Sequence, residues 1–142
     1  MCGEVLQAEG EAYAEFTWLS GLNPMVGVAK AGVDLSSVED GLSSTADGWM
    51  YYCSNGAHYH NYNSGYSTTP WASGRSQGIA VGETVGLLLR RGSLAVYIQG
   101  RRVGVMCTGL TGPLVWATDL WGGRGASSRV RIARRPPPAD GD

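Results

Sequence analysis

Three residues with metal-binding side chains lie close together in the sequence: Cys53, His58 and His60, with the spacing Cys-x4-His-x-His. Thiolate sulfur and imidazole nitrogen are ligands that zinc prefers, but a structural zinc site generally needs four of them. The next candidate ligand, Cys107, is distant in the sequence. We therefore predict no metal, and we interpret His60 as a strand residue whose ring makes a local hydrogen bond.

Catalytic motifs are also lacking from the sequence. It contains no Gly-x-Ser-x-Gly nucleophile elbow, no Walker-type phosphate loop and no Gly-x-Gly-x-x-Gly after a strand. Gly122, Gly123 and Gly125 resemble a phosphate cradle superficially. A cradle of that kind joins a strand to a helix, whereas here the pattern predicts that another strand follows. We expect a protein that is not an enzyme and has no cofactor.

The charges are balanced in sum but separated along the chain. The net charge is −1, which argues against a nucleic-acid partner because such proteins usually present a strongly basic surface. Residues 1–74 carry eight acidic residues and one base, whereas residues 75–142 carry four acidic residues and ten arginines. We expect the two halves to interleave and neutralise each other. The alternative is an acidic face opposite a basic one.

The cysteine pattern indicates the compartment. Three cysteines at wide spacing, no Asn-x-Ser/Thr sequon and no apolar N-terminal segment predict a reduced protein of the cytoplasm or nucleus. No apolar run approaches the roughly 18 to 20 residues that span a bilayer, so we expect no membrane association. We also expect a monomer.

The elements that must position any site are predicted to be short strands. From Gly82 to Ile98 and onward, apolar runs are separated by turn signals at Arg91-Gly92 and Gln99-Gly100, which indicates two consecutive hairpins. Leu94, Val96 and Ile98 alternate with Ser93, Ala95 and Tyr97; Val103, Val105 and Cys107 alternate with Arg102, Gly104 and Met106. This period of two predicts strands with one buried face.

The rest of the chain follows the same pattern of strand and turn. Further strands are predicted at Val5 to Ala8, Ala12 to Leu19, Met25 to Lys30, Trp49 to Cys53, Leu114 to Leu120 and Arg129 to Ala133. Within them, Phe16 and Trp18 should point into the core, and Gly27 should mark a close backbone approach. Residues 31–47, 61–78 and 121–128 are predicted as loops. We expect one all-β domain over residues 1–133 and a Pro-rich disordered tail or linker at residues 134–142.

The order of these signals resembles a SPRY domain. The resemblance covers residues 5 to 133 and rests on six pieces in one order: Glu15-Phe16-x-Trp18 before Gly27-Val28-Ala29, Gly48-Trp49 with Tyr59-His60, Gly82-Glu83-Thr84-Val85-Gly86, Gly92-x-Leu94 with Tyr97, Gly112-Pro113-Leu114, and Leu120-Trp121-Gly122.

The sequence also departs from that family. Arg90-Arg91 stands where SPRY domains carry acidic residues, and Gln99-Gly100 replaces the usual Asn-Gly turn. The PRY extension of many tripartite-motif relatives is missing. In SOCS-box SPRY proteins a tyrosine before the Trp49 strand grips a peptide, and Glu39 falls near that position here. We therefore do not carry the peptide specificity of that group over to this chain.

The resemblance implies a bent antiparallel β-sandwich of the concanavalin or jelly-roll type. It implies an interaction module that binds a protein or peptide through loops at one end, with substrate recognition in a larger ubiquitin ligase or scaffold as one hypothesis. The site residues are Leu22, Asn23, Pro24, Glu39, Leu120, Trp121 and Gly122, to which the residue pattern adds Tyr62 and Trp71 as loop aromatics.

Other interpretations of these residues remain open. Trp71 could plug one end of the sandwich, and Trp121 could be a core residue at a strand end. The alternative function is a lectin-like sandwich that binds carbohydrate through loop aromatics such as Tyr62, Tyr66 and Trp71; the cysteine pattern counts against it.

Overall fold

The computed structural model describes residues 4–22, 24–33, 42, 45–61, 68–74, 76–120 and 128–138. Its strands are β1 (Val5–Gln7), β2 (Glu11–Ser20), β3 (Pro24–Lys30), β4 (Gly48–Tyr52), β5 (His58–Tyr59), β6 (Ser73–Gly74), β7 (Thr84–Arg90), β8 (Ser93–Ile98), β9 (Arg101–Cys107), β10 (Pro113–Leu120) and β11 (Arg129–Arg134).

The strands form two antiparallel sheets. The five-stranded sheet has the order β1-β10-β3-β4-β5, and the six-stranded sheet has the order β11-β2-β7-β8-β9-β6. The prediction of an all-β antiparallel sandwich is confirmed. In the described part of the chain, no helix is both long enough and apolar enough to cross a lipid bilayer.

The two central hairpins have the predicted turns. Arg91 and Gly92 have φ angles of 49° and 79°, and Gln99 and Gly100 have φ angles of 54° and 75°. Positive φ at both central residues is the geometry of the type I′ turn, whose twist matches that of the flanking strands. The first residue of each turn is neither Gly nor Asn, so its positive φ is energetically unfavourable in each hairpin.

The predicted strict alternation along β9 is wrong. Leu94 pairs with Cys107 but Ala95 pairs with Val105, and Val96 pairs with Gly104 but Tyr97 pairs with Arg102. The pairing register therefore shifts twice, as in β-bulges, and each shift inserts an extra residue into β9. As a result, Cys107 belongs to the core between the sheets, whereas Val105 belongs to a cluster on the opposite face.

The main core lies between the two sheets. Phe16 and Trp18 are buried there, as predicted, and the Phe16 ring meets Trp116 edge-on at a centroid distance of 5.8 Å. Edge-to-face aromatic pairs add specific attraction to the hydrophobic burial. The core is completed by aliphatic side chains from both sheets, such as Val28, Leu87 and Val96.

Two glycines allow close approaches between backbones. A Cβ atom on Gly27 would collide with the carbonyl oxygen of Trp49 on the neighbouring strand, so the predicted close approach is confirmed. A Cβ on Gly104 would collide with Ser73. The contact at Gly104 lets β6 pair with β9, and it places a short strand inside the segment 61–78 that was predicted as a loop.

The acidic and basic halves of the chain interleave. Glu11 pairs with Arg90 at 2.6 Å and Glu15 with Arg135 at 3.6 Å, and Glu4 pairs with Arg134. Of the ion pairs between described residues, these three join an acid from the first half to an arginine from the second. The partial neutralisation that we expected is therefore present.

Candidate functional site

The two segments that were predicted to bind a partner are neighbours in space. Leu120, at the end of β10, pairs with Pro24 at the start of β3. The Ser128 hydroxyl, just before β11, donates a hydrogen bond of 2.8 Å to the carbonyl of Leu22. The turn between β2 and β3, the end of β10 and the start of β11 therefore meet at one end of the sandwich, which we call the loop end.

Three large apolar side chains are exposed at this loop end: Leu22 at 62%, Val81 at 54% and Leu120 at 47%. We call these three residues the apolar rim. The fourth exposed large apolar residue among those described, Val5, lies on β1 opposite Val115 and outside the loop end. Exposed apolar residues scattered singly are ordinary, but a group of them at one end indicates a contact surface.

Buried Trp18 anchors two of the loops that carry this rim. Its indole Nε1 donates to the carbonyl of Gly21 at 3.2 Å, and its backbone carbonyl accepts from the amide of Gly82 at 2.7 Å. Leu22 and Val81 are therefore attached to loops that share one rigid support. A binding surface held in this way loses little conformational entropy when a partner docks.

The loop of Val81 is further fixed by Glu83. The Glu83 carboxylate accepts from the amide of Ala80 at 2.7 Å, and the Glu83 amide donates to the carbonyl of Ala80 at 2.9 Å. Sequence reasoning missed Val81. Its signal was weak, since one valine between Ala80 and Gly82 in a turn does not form a pattern.

Pro24 has a supporting place in this arrangement. It is buried as the first residue of β3, and its carbonyl accepts from the amide of Cys53 at 3.1 Å. Among the described residues 21, 22 and 24 of the predicted segment, Leu22 has the exposed side chain, and Pro24 fixes where the chain rejoins the sheet.

Trp71 is half-buried at the edge where β5 and β6 lie. Its Nε1 donates to the carbonyl of Gly56 at 3.0 Å, and its ring meets Tyr51 edge-on at 6.5 Å while packing against the main core. These contacts favour the interpretation in which Trp71 closes the sandwich. Asn23, Glu39, Tyr62, Trp121 and Gly122 lie outside the described residues, so their roles stay predictions.

Cys53 and His60, which could bind a metal by residue type, instead have contacts typical of structural residues. Burial raises the pKa of the Cys53 thiol to about 12. The His60 ring stacks on Trp49 at 4.6 Å, and its Nδ1 lies 2.8 Å from the carbonyl of Gly48. The local hydrogen bond predicted for His60 is confirmed, although β5 ends one residue earlier, at Tyr59. Over the described ranges, no three His, Cys, Asp or Glu side chains are grouped to hold a metal ion.

His58 is buried within the sandwich. It pairs with Tyr51 of the main core and is 2% exposed. Burial lowers its pKa to about 4 by penalising the charged form, and the nearby Pro70 backbone, which favours the charged form, offsets only part of this effect. His58 is therefore neutral at physiological pH.

Comparison with solved structures finds the same architecture elsewhere. The SPRY domain of human HERC1 matches with a TM-score of 0.72 and 15% identity, over 94% of this chain and 79% of that one. The PSpry domain of TRIM65 matches with a TM-score of 0.60 and 17% identity, over 95% of this chain and 67% of that one. No protein-family model and no curated protein sequence matches the chain. The likenesses show that the fold is SPRY-like.

Proposed function

We propose that this SPRY-like domain is a protein-interaction module whose apolar rim binds a peptide or loop of a partner protein. The observation that carries the proposal is the grouping of Leu22, Val81 and Leu120 at one end of the sandwich, each about half exposed or more. Removing such side chains from water supplies the main driving force of association, at roughly 25 cal/mol per Å² of apolar surface.

The surroundings of the apolar rim suit recognition as well as affinity. Polar residues lie next to the rim. They are Asp119, which precedes Leu120 on β10, and Ser128 and Arg129 at the start of β11. The Asp119 carboxylate accepts from the amide of Leu42 at 3.0 Å, which holds Leu42 against β10. An apolar centre with polar groups at its border is the usual composition of a protein interface.

The finer part of the proposal concerns the biological setting. The resemblance to SOCS-box and tripartite-motif SPRY proteins supports a role in selecting the substrate of a larger ubiquitin ligase or in assembling a scaffold. An intracellular location is supported by Cys53 and Cys107, which are both buried as free thiols. Partner proteins identified by the experiment below would distinguish a ligase substrate from a scaffold component.

The test is affinity capture from a cytosolic lysate with three versions of the full chain. These are the wild type, a rim variant Leu22→Ser/Val81→Ser/Leu120→Ser, and the control Val5→Ser, which removes an equally exposed residue elsewhere. Substitutions at such exposed positions should change stability by only about 0.5 kcal/mol each, so thermal melting can verify that the variants are folded.

We expect the rim variant to lose specific partners and the control to retain them. A purified partner should bind the rim variant at least about tenfold more weakly, as expected when central apolar contacts are removed. Identical capture profiles for all three proteins would contradict the location of the site. Sugar-specific binding of the wild type to a glycan array, without protein partners, would overturn the function in favour of the lectin-like alternative.

A further inference from the structure

The face of the six-stranded sheet that points away from the main core carries a second apolar group. Tyr13, Leu88, Ala95 and Val105 are paired in one row across β2, β7, β8 and β9. All four are at most 9% exposed, and with Tyr97 they form a hydrophobic cluster of their own. Every member comes from this single sheet, so no residue of the other sheet contributes to the cluster.

Part of this row forms the floor of a depression. Leu88, Ala95 and Val105 line a hollow of about 340 Å³. Its border contains Ser93 and three arginines, Arg90, Arg91 and Arg102. The hollow thus combines an apolar base with a strongly basic border, which is unusual on a protein whose net charge is −1.

The arginines of this border differ in their ion pairs. Arg90 contacts the Glu11 carboxylate at 2.6 Å. Arg91 and Arg102 are exposed, and neither lies within 4 Å of an acidic group in the part of the chain that the structure describes. The nearby acid Glu15, which sits one row further along β2, is paired with Arg135 at 3.6 Å. Two positive charges beside the hollow therefore have no internal counter-charge among the described residues.

We propose that this hollow, which we call the basic groove, is a second docking site and takes an acidic peptide segment of a partner. The segment would place one apolar side chain on Leu88, Ala95 and Val105 and would direct flanking Asp or Glu carboxylates at Arg91 and Arg102. Guanidinium groups bind carboxylates through paired, charge-assisted hydrogen bonds, so charge and shape select the same ligand.

The apolar floor favours a peptide over a nucleic acid. A nucleic acid would satisfy the arginines through its phosphates, but its bases bind proteins mainly by stacking on aromatic rings, and the floor residues Leu88, Ala95 and Val105 are aliphatic. A peptide offers both kinds of group within a short length. Four strands have three spacings of about 4.8 Å, and an extended residue covers about 3.3 Å, so a segment of about four to five residues spans the row.

The test uses fluorescein-labelled peptide pools and the full chain. One pool has Leu or Phe at the centre and Asp or Glu at all flanking positions; a second replaces every acid by Asn or Gln; an oligouridylate RNA is the third probe. Fluorescence anisotropy gives the affinities at low and physiological salt. The variants are Arg91→Gln/Arg102→Gln and the control Arg101→Gln, which removes an exposed charge opposite Ile98 on the core side of β9.

We expect the acidic pool to bind and the amide pool to bind much more weakly. The double variant should bind the acidic pool about tenfold more weakly, whereas Arg101→Gln should change its affinity by less than about twofold. Backbone amide shifts on adding the acidic pool should fall on β7, β8 and β9. Leu88→Ser removes floor contact but no charge, and it also lowers stability; where thermal melting shows it folded, it should bind more weakly with little change in salt dependence.

Other results would overturn the proposal. Equal binding of the acidic and amide pools, equal binding of the double variant and wild type, or tighter binding of the RNA would each contradict an acidic peptide site. Amide shifts confined to the apolar rim would move the peptide to the loop end. Failure here leaves the rim proposal intact, since capture through Leu22, Val81 and Leu120 is measured with different variants.

Discussion

The two faces of the six-stranded sheet are both buried, but for different reasons. On the inner face, Phe16 and Leu87 are covered by side chains of the opposite sheet. On the outer face, Leu88 and Ala95 are almost equally inaccessible although their hydrophobic neighbours all come from the same sheet. The buried apolar residues of the outer face therefore belong to one sheet, whereas those of the inner face come from both sheets. The hollow lined by Leu88, Ala95 and Val105 lies on the outer face.

The test with the largest expected effect compares side-chain truncations on the two faces of the six-stranded sheet. Phe16→Ala should lower the free energy of unfolding by about 3 to 5 kcal/mol, because a closed cavity remains between the sheets. Leu88→Ala should cost about 2 kcal/mol, near the lower limit for such changes, because water can fill the open side. Urea denaturation of both variants measures these losses. Equal losses would mean that the outer face is covered as fully as the inner one.

The core between the two sheets should also exclude charge, and His58, on β5 of the five-stranded sheet, reports this. Its pKa of about 4 in the folded protein is lower than its unfolded value of 6.5, so protonation favours the unfolded state. Stability from this source is present above pH 6.5 and is lost as the pH falls towards 4, by up to about 3 kcal/mol.

The measurement is urea denaturation between pH 7 and pH 4 for the wild type and for His58→Gln. The carboxylates titrate in both proteins, so the difference between the two curves isolates the histidine. Although His58→Gln should be less stable at neutral pH, its stability should fall less on acidification. Parallel curves would show that the imidazole is not held in the neutral form.

A third test uses two glycines whose neighbours differ. A Cβ on Gly86 would collide with the Tyr13 ring on the outer face, whereas a Cβ on Gly27 would collide with the backbone of Trp49. Gly86→Ala should cost about 1 to 3 kcal/mol alone. Its cost should nearly vanish in a Tyr13→Ala background, since the ring is the obstacle. No side-chain truncation should rescue Gly27→Ala. A double-mutant cycle measured by thermal unfolding that shows no coupling between Gly86 and Tyr13 would contradict the contact.

The smallest expected effect is on stability. It comes from turn substitutions, one of which also removes a charge from the basic groove. Arg91→Asn and Gln99→Asn should each raise stability by about 0.5 kcal/mol, because Asn tolerates positive φ better than Arg or Gln. Arg91→Asn also removes a groove charge, so it should weaken acidic peptide binding while the melting temperature rises. A lower melting temperature would show that the arginine side chain makes contacts that outweigh its strained backbone.

Local signals predicted much of the fold. The turns at Arg91-Gly92 and Gln99-Gly100, the close approach at Gly27 and the inward side chains of Phe16 and Trp18 all follow from residue type and period within a few positions. Such features are decided by the chain's own backbone geometry and amphipathic pattern, so they can be recognised before any long-range contact is known.

Features that depend on pairing between distant segments could not be predicted. Val105 changes face because of register shifts against β8, and such shifts leave no mark in a run of alternating residues. For the candidate site, the resemblance suggested Leu22 and Leu120, whereas Val81 is placed beside them by the hydrogen bonds that Gly82 and Glu83 make with the Trp18 backbone. The burial of Tyr13 and Tyr97 likewise depends on rings from two strands that meet edge-on at 5.9 Å.

The short strand β6 has a consequence for self-association. An exposed sheet edge offers unpaired amide and carbonyl groups to any other strand, which is how many β-proteins begin to aggregate. Ser73 and Gly74 occupy the ladder of β9 at Val105 and Gly104, and two residues are too few to serve as a template themselves. On the opposite edge, β11 exposes Arg129 and Arg131 and is followed by three prolines that lack amide donors. Both edges therefore disfavour growth of the sheet into a fibre.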